Sequence, residues 1–468
     1  MRYIAKCSVL LAGLATLYGA SAWAGSGGFA VSEYSVSGLG NAYAGTASCE
    51  DASTIYSNPA GMSCLPGSQF VVMASAVRPS ASFTSAMTAA DYAPLQAAGG
   101  NGGDPGGTNY IPALFLSSEL SPTLHAGFGV NVPFGLQTDY GTTWAGRFQA
   151  TKSSISTINL NPALSWRATE TVTLAAGLDY QSIKGELSNM VNYSAAGAAA
   201  GAAAGAAAAV AGGAPVGSAP YLAAVAAGQA AGLAAAGGPN SEGLSTMSGT
   251  DSAWGYNLGM TIAAGPQTRF GLAYRSAINY TLNGTVSFAN VPAGLAAALV
   301  TAPVTLAIKV PDTWSASVFH QVNEQWDLMA DVTRTGWSAV QNLTVRSGNG
   351  TVLSNTHEGW RDTSRFALGA SYHYDAQLTA RIGVAYDQSP VSDAFRTARL
   401  PDQNRTWLAL GGQYRLSPAT AIDVAYAHLF MASAPISSNQ AASAAANLVG
   451  RYTSLQSNIL GVQLGHNF

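Results

Sequence analysis

Trp254-Gly-Tyr-Asn-Leu-Gly-Met-Thr-Ile262 is the stretch that decides how this chain folds. Every second residue is large and apolar, and Gly, Asn, Gly and Thr stand between them. A period of two sends the two sets to opposite faces of an extended strand. The same alternation runs through Val304, Leu306, Ile308 and Val310. With one exception each (Ala380 and His428) it also runs through 378–386 and 422–430. Opposite the apolar sets fall Asn257, Arg269, Arg275, Lys309, Asp327, Asp331, Arg381, Asp387, Arg405 and Asp423. A soluble sandwich needs a core for its apolar faces, and this chain has few helices to cover them. Aromatic residues stand near the strand ends, at Trp254, Tyr274, Trp326, Tyr386, Tyr414 and Phe430. Apolar outside, polar inside and aromatic at the rims is the pattern of an outer-membrane β-barrel.

Composition agrees. Only 9% of the 468 residues are charged, against roughly 25% in soluble domains. Apolar residues make up 48%, yet past the amino terminus no run approaches the roughly 20 that a spanning helix needs. A net charge of -3 with no basic block argues against a nucleic-acid partner. Arg2 and Lys6, the apolar run 9–18 and Ala22-Trp23-Ala24 make residues 1–24 an export signal, so the mature chain is expected to begin at Gly25.

Counting alternating segments yields about fourteen strands, joined by connections that alternate short and long. The short turns fall at 121–122, 169–170, 265–266, 323–324, 375–376 and 417–418. The long connections fall near 88–107, 138–150, 194–250, 289–303, 347–363, 389–403 and 431–455. Short turns face the periplasm in such barrels, and the last strand ends on Phe468. The expected fold is therefore an all-β, 14-stranded antiparallel transmembrane barrel over 67–468, plugged by an amino-terminal hatch at 25–66. The hatch stretch is rich in Gly, Ser and Ala and ends in the turn Asn58-Pro59-Ala60-Gly61. Within the loop at 194–250, residues 195–238 are almost all Ala and Gly, and short helices over the barrel mouth are expected.

Cys7 leaves with the signal. Cys49 and Cys64 form an even pair in an exported chain, and a disulfide between them would be worth about 3 kcal/mol. Two free thiols are the alternative. Neither a CxxC nor a His cluster accompanies them, so no metal is expected.

These residues resemble the FadL/TodX family of outer-membrane transporters for long-chain fatty acids and other hydrophobic compounds. The resemblance rests on Ser37-Gly-Leu-Gly-Asn-Ala-Tyr-Ala-Gly45, Asn58-Pro59-Ala60, His357-Glu-Gly-Trp360 and Tyr386-Asp-Gln-Ser-Pro-Val391. Its most specific part is Leu400-Pro-Asp-Gln-Asn-Arg-Thr-Trp407. It implies a fourteen-stranded barrel with an amino-terminal hatch, an outer groove and a deeper apolar pocket. It also implies sideways exit into the membrane through a gap at a kinked third strand. Asn131, Pro133, Phe134 and Gly135 fit that kink, because proline removes a ladder donor and both proline and glycine favour bulges. An ordinary strand end is the alternative.

Nothing local supports catalysis. His125, His320, His357, His373, His428 and His466 are scattered, and no glycine-rich phosphate loop is present, so no cofactor and no energy coupling are expected. A fatty acid needs an apolar slot and a cation or donors for its carboxylate. Candidate cations are Lys184, Arg361 and Arg365; the resemblance places basic residues at Lys184 and Arg361, and lumen or loop charges with no ligand are the alternative for each. Phe29, Val31, Tyr34, Leu39, Tyr43, Ile55 and Tyr56 are candidate lining residues, some of which would instead pack the plug against the wall. The expected function is passive, hatch-gated uptake of long-chain fatty acids or similar hydrophobic molecules across a Gram-negative outer membrane. The partners are then that small molecule and membrane lipid, and the barrel a monomer. An aromatic-hydrocarbon channel and a general porin for small hydrophilic solutes are the alternatives.

Overall fold

The structure, a computed structural model, describes residues 26–438 and 447–468. The leader expected at 1–24, Gly25 and part of the loop expected at 431–455 lie outside the described residues. The described residues form fourteen antiparallel strands. The first six are β1 (Ser68–Ser85), β2 (Asn109–Ser121), β3 (Leu124–Asn131 and Gly135–Asp139), β4 (Lys152–Arg167), β5 (Val172–Asn192) and β6 (Glu242–Ala263). Four interrupted strands follow: β7 (Thr268–Arg275 and Ile278–Phe288), β8 (Ala302–Val310 and Thr313–Gln321), β9 (Trp326–Thr335 and Asn342–Ser347) and β10 (Val352–His357 and Thr363–His373). The last are β11 (Leu378–Asp387), β12 (Arg405–Ser417), β13 (Thr420–Met431 and Ala434–Ser438) and β14 (Leu448–Asn467). Each pairs with the next, and β1 pairs with β14 from Gln69↔Asn467 onward, which closes the barrel and removes its edges. Outward positions such as Leu258, Leu272, Leu368 and Leu410 are about half exposed. Only lipid satisfies so many bare apolar side chains.

Three loop boundaries differ from expectation. β5 and β6 continue to Asn192 and from Glu242, so the Ala-rich loop is 193–241 rather than 194–250. Residues 347–363 are not one long loop, because β9 and β10 meet in a tight turn at 347–351. Within 431–455, Ala434–Ser438 and the start of β14 are strand. In each case the strand runs above the membrane, where apolar residues need not alternate. The Ala-rich loop is a helical hairpin of α3 (Tyr193–Ala211) and α4 (Ala219–Ala235); α1 and α2 are introduced below. Gly197, Gly201 and Gly205 of α3 meet Gly228, Gly232 and Ala224 of α4 so closely that an added Cβ would strike the opposing backbone.

β7 and β8 contradict the reading of Val304–Val310. Below their interruptions, Leu272, Tyr274 and Trp314 face out, while Arg275, Ser315 and Ser317 face in. Above them Ile278, Tyr280, Leu282, Val304, Ile308 and Val310 are buried inside, and Lys309, expected in the lumen, is exposed outside. A one-residue change of register sends every side chain to the other face. Above the membrane water lies outside, so the apolar set turns inward.

Residues 26–66 lie in the lumen against inner-face residues all round the wall. α1 (Val36–Gly40), α2 (Thr54–Ser57) and the 3-10 turn Pro59–Cys64 are short, which leaves many buried backbone groups without internal partners. The wall supplies them. Arg365 donates to Ala42 O, Arg275 to Tyr56 O at 2.8 Å, Arg269 to Ser48 O at 2.7 Å and Arg167 to Ser63 O at 2.6 Å. Asn58 caps its own turn, accepting from Ala60 N at 3.1 Å, and donates to Met260 O at 3.1 Å. Glycines on the inner face make the room. A Cβ on Gly383 would strike the Asn41–Ala42 backbone, and one on Gly411 would lie 2.8 Å from Gly40 Cα. Gly383→Val is therefore expected to leave the β11 ladders and heat-modifiable barrel mobility unchanged. It should cost about 1–3 kcal/mol of luminal packing, read as faster hydrogen exchange over residues 36–44.

Candidate functional site

Two chambers follow from this architecture. The outer one is walled by the inward-turned apolar set: Ile155, Ile183, Leu187, Leu282, Leu306, Ile308 and Leu343 line a cavity of about 60 Å³ with almost no polar surface. Above it a wider space of about 460 Å³, edged by Phe148, Met190, Met247, Phe288, Leu353 and Arg399, opens to the outside. The inner chamber, about 140 Å³, lies between the luminal segment and β6–β11. Its walls are Val31, Tyr34, Tyr43, Tyr56, Trp337 and Arg365, with Arg275, Asp331 and Asp387 and a set of serine and threonine hydroxyls.

Three tyrosines organise the inner chamber. Tyr34 packs on Tyr43 at 5.1 Å and on Tyr56 at 4.8 Å between ring centroids. The Arg275 guanidinium lies 4.3 Å from the Tyr56 ring, and that of Arg365 lies 5.3 Å from Trp407 and 6.0 Å from Tyr43. Burial pushes the phenols of all three tyrosines up, so they remain neutral hydrogen-bond donors. The Tyr43 hydroxyl and Arg365 Nε are buried with no protein partner. Such donors suit a carboxylate that arrives with an apolar tail.

At the top of the luminal segment, Phe29 sits in an aromatic nest, 4.8 Å from Trp337, 5.6 Å from Trp360 and 5.7 Å from Phe134. Trp337 and Trp360 stand in the interruptions of β9 and β10, and Phe134 in that of β3. Val31 N donates to Pro133 O at 2.8 Å, and Gly135 N donates to Phe29 O at 2.9 Å, so residues 29–31 act as a short strand laid on the break. Phe134 N and O both bond the Thr157 hydroxyl of β4, at 2.9 and 2.8 Å. β2 and β3 pair only as far as Leu114↔Val130, while the upper piece of β3 continues with β4 alone. The wall is therefore unpaired between β2 and β3 beside the break.

The motifs at 386–391 and 400–407 clamp the start of the segment. Asp387 accepts from Gly27 N at 3.0 Å, Asp402 from Gly28 N at 2.9 Å and Ser389 Oγ at 2.8 Å, and Arg405 pairs with Asp402 while donating to Ser26 O at 2.7 Å. At the other end Arg381 pairs with Glu50 and with Asp423, and Gln463 bridges Val36 N and Asp51.

Several expected site residues lie elsewhere. Lys184 is exposed and shares the outward set of β5 with Leu178 and Tyr180, because its parity is opposite to that of the buried Ile183. Arg361 is exposed in the interruption of β10 and donates to Ser389 O at 3.4 Å. Leu39 and Ile55 are fully buried against the wall rather than lining a chamber; an added Cβ on Gly127 would lie 2.6 Å from Ile55 Cδ1. Val31, Tyr34, Tyr43, Tyr56 and Arg365 come together around the inner chamber with Pro59, and Phe29 joins them through Trp337. Cys49 and Cys64, expected to be a disulfide, are free thiols. Their side chains hydrogen-bond, which lowers Cys64 to about 7, with Arg269 and Arg167 assisting. Sequence reasoning missed Arg275, Trp337 and Trp360 as site residues; only His357-Glu-Gly-Trp360, as a motif, signalled one of them.

Comparison with known proteins bears on the whole chain. Residues 17–468 match the family described as outer membrane protein transport protein (OMPP1/FadL/TodX). The chain is 30% identical over 433 residues to the 47 kDa outer membrane protein of Pasteurella multocida, covering 90% of this chain and 91% of that one. It is 27% identical over 435 residues to the long-chain fatty acid transport protein of Escherichia coli O6:H1, covering 90% of each. The crystal structure of a Pseudomonas aeruginosa FadL homologue superposes with a TM-score of 0.79 at 23% identity, covering 94% of this chain and 100% of that one.

Proposed function

The chain belongs to the OMPP1/FadL/TodX family of outer-membrane transport proteins, and from that premise we propose that it carries long-chain fatty acids by gated diffusion and releases them sideways. The observation that carries this reading is the seat of Phe29–Val31 on the break of β3, beside the unpaired stretch between β2 and β3. The apolar outer chamber takes the acyl chain first. The inner chamber offers Arg365 Nε and the Tyr43 hydroxyl to the carboxylate, which supports a fatty acid over a bare hydrocarbon. Withdrawal of residues 29–31 from β3 then frees the gap, and the ligand passes to the membrane down its own gradient. A filled lumen argues against a general porin, and a closed ladder with no open edge favours a monomer.

The test is uptake of labelled oleate and of toluene by cells expressing the wild type, a deletion of residues 26–48, and Arg365→Met. Oleate is expected to enter through the wild type and to lose saturable entry in the deletion. Arg365→Met should raise the half-saturating oleate concentration about ten- to a hundredfold, the weight of one charge-assisted hydrogen bond, and leave toluene unchanged. Entry of small sugars with neither hydrophobic probe would sink the proposal.

A further inference from the structure

The two outer cavities meet at one level of the wall. On β5, Ile183, Gly185 and Leu187 line the dry slot, and Asn189 and Val191 line the wider space above it. On β7, Leu282 and Gly284 stand below, Val286 and Phe288 above, and Met247 of β6 lines both. Slot and space are therefore one column. Its neck lies at the level of Ser188, which pairs with Lys152 at the start of β4. From Ser188 down to Ile183 is about 16 Å of strand.

Arg399 stands at that neck. Its Nη1 donates to Ser153 Oγ at 3.1 Å, Lys152 O at 3.4 Å and Ser188 O at 3.5 Å, and its Nη2 donates to Gln149 O at 3.0 Å. It lines the wider space beside Phe148 and Thr397. All four acceptors are neutral. The neighbouring cations Arg147, Lys152 and Arg396 pair with Glu242, Glu186 and Asp393, but no ion pair among the described residues includes Arg399. A guanidinium carries five N–H groups and keeps its charge. Nη1 is fully engaged, while Nε and one N–H of Nη2 have no protein acceptor among the described residues. A carboxylate is the acceptor that takes two N–H groups of one guanidinium. Glu358 attracts Arg399 from beyond contact. It is buried and accepts from Trp360 Nε1 at 3.2 Å, and burial raises it to about 7, so its charge is only partial near neutral pH. The mouth of an apolar slot thus holds a cation that no carboxylate of the protein contacts.

We infer that Arg399 receives the carboxylate of an incoming fatty acid at this neck and so sends the acyl chain tail-first into the slot. The wider space admits the amphiphile, the guanidinium holds its head, and Ile183, Leu187, Leu282 and Ile308 surround the methylenes below. A bare hydrocarbon gains nothing from Arg399, so acids are sorted from hydrocarbons before the inner chamber is reached. This deepens the transport reading above and rests on it for its cargo.

Photo-crosslinking to the purified full-length barrel in lipid nanodiscs tests it. The probes are palmitate carrying a diazirine at its methyl end and the methyl ester of the same compound, with labelled peptides identified by mass spectrometry. In the wild type the acid is expected to label residues 183–187 and 282–284 at lower concentration than the ester. Arg399→Met should raise the acid's half-labelling concentration about ten- to a hundredfold and leave the ester unchanged. Glu358→Gln keeps an acceptor for the Trp360 indole and removes the rival charge. It should lower the acid's half-labelling concentration about two- to fivefold, and it decides the matter if Arg399→Met fails to assemble. Equal labelling by acid and ester in the wild type, an Arg399→Met curve like that of the wild type, or no gain in Glu358→Gln would each overturn the site. Acid-selective labelling without oleate uptake by cells would refute the transport reading and leave the head-group site standing.

Discussion

Asp402→Ala is expected to free the start of the luminal segment and to remove most oleate uptake while the barrel still assembles. Asp402 is buried and accepts from Gly28 N, Ser389 Oγ, Gln403 N and Arg405. Without it the Arg405 guanidinium, also buried, keeps Ser26 O and the attraction of Asp387 but loses its ion pair with Asp402. Removing one partner of a buried ion pair costs about 3–5 kcal/mol. That cost falls on the contact between residues 26–28 and the wall, because the strand ladders of β11 and β12 use none of these side chains. Ser26, Gly27 and Ala30 line the inner chamber, so its upper wall goes with them. Faster hydrogen exchange over residues 26–35, with unchanged heat-modifiable mobility, is the structural signature. Asp402→Asn keeps an acceptor for Gly28 N and should fall between. Wild-type uptake and exchange in Asp402→Ala would show that the clamp is ornamental.

Glu33→Gln is expected to tighten the luminal segment at pH 8 and to change little at pH 5. Glu33 is fully buried, and burial raises its pKa from 4.5 to about 7 against the opposing pull of the Glu33 and Ser32 backbone N–H groups and of Arg405 and Arg365. Tyr43 and Tyr56 also face it, and both stay neutral. A raised carboxylate pKa means that the packed segment holds its proton more tightly than the released one. Its stability is then complete below pH 4.5, is lost as pH rises toward 7, and stays lost above. The shift corresponds to about 3 kcal/mol at pH 8. Gln removes the charge and the pH dependence together. The native thiol of Cys49, buried in the same segment, reports opening. Peptide-resolved labelling of Cys49 should be slower in Glu33→Gln than in the wild type at pH 8 and nearly equal at pH 5. Equal rates at both values would show that Glu33 does not govern the segment.

Much of the fold was legible because its signal is local. Period-two alternation, the even strand count and the alternation of short and long connections each need only neighbouring residues, and the fourteen strands follow from them. Pro133 likewise marks its own break, since a missing N–H acts where it stands. The site was only partly legible. Tyr34, Tyr43 and Tyr56 are visible as aromatic residues in a small-residue stretch, but so are Leu39 and Ile55 as apolar ones, and only packing separates lining from wall contact. Arg365 and Lys184 look alike in sequence. One is buried over Trp407, while the other stands on the outer face by a single step of parity.

By itself the sequence determined that this is an exported, outer-membrane barrel of a known transporter family, with a distinct amino-terminal stretch. Tertiary structure alone decided what the polar residues do. The clamp joins Gly28 to a carboxylate 374 residues away, and most luminal arginines serve backbone carbonyls of an irregular segment that no local pattern predicts. It also decided the faces of β7 and β8 above the membrane. There a one-residue register change, invisible in the alternation, turns the apolar set from lipid to lumen because water has replaced lipid outside.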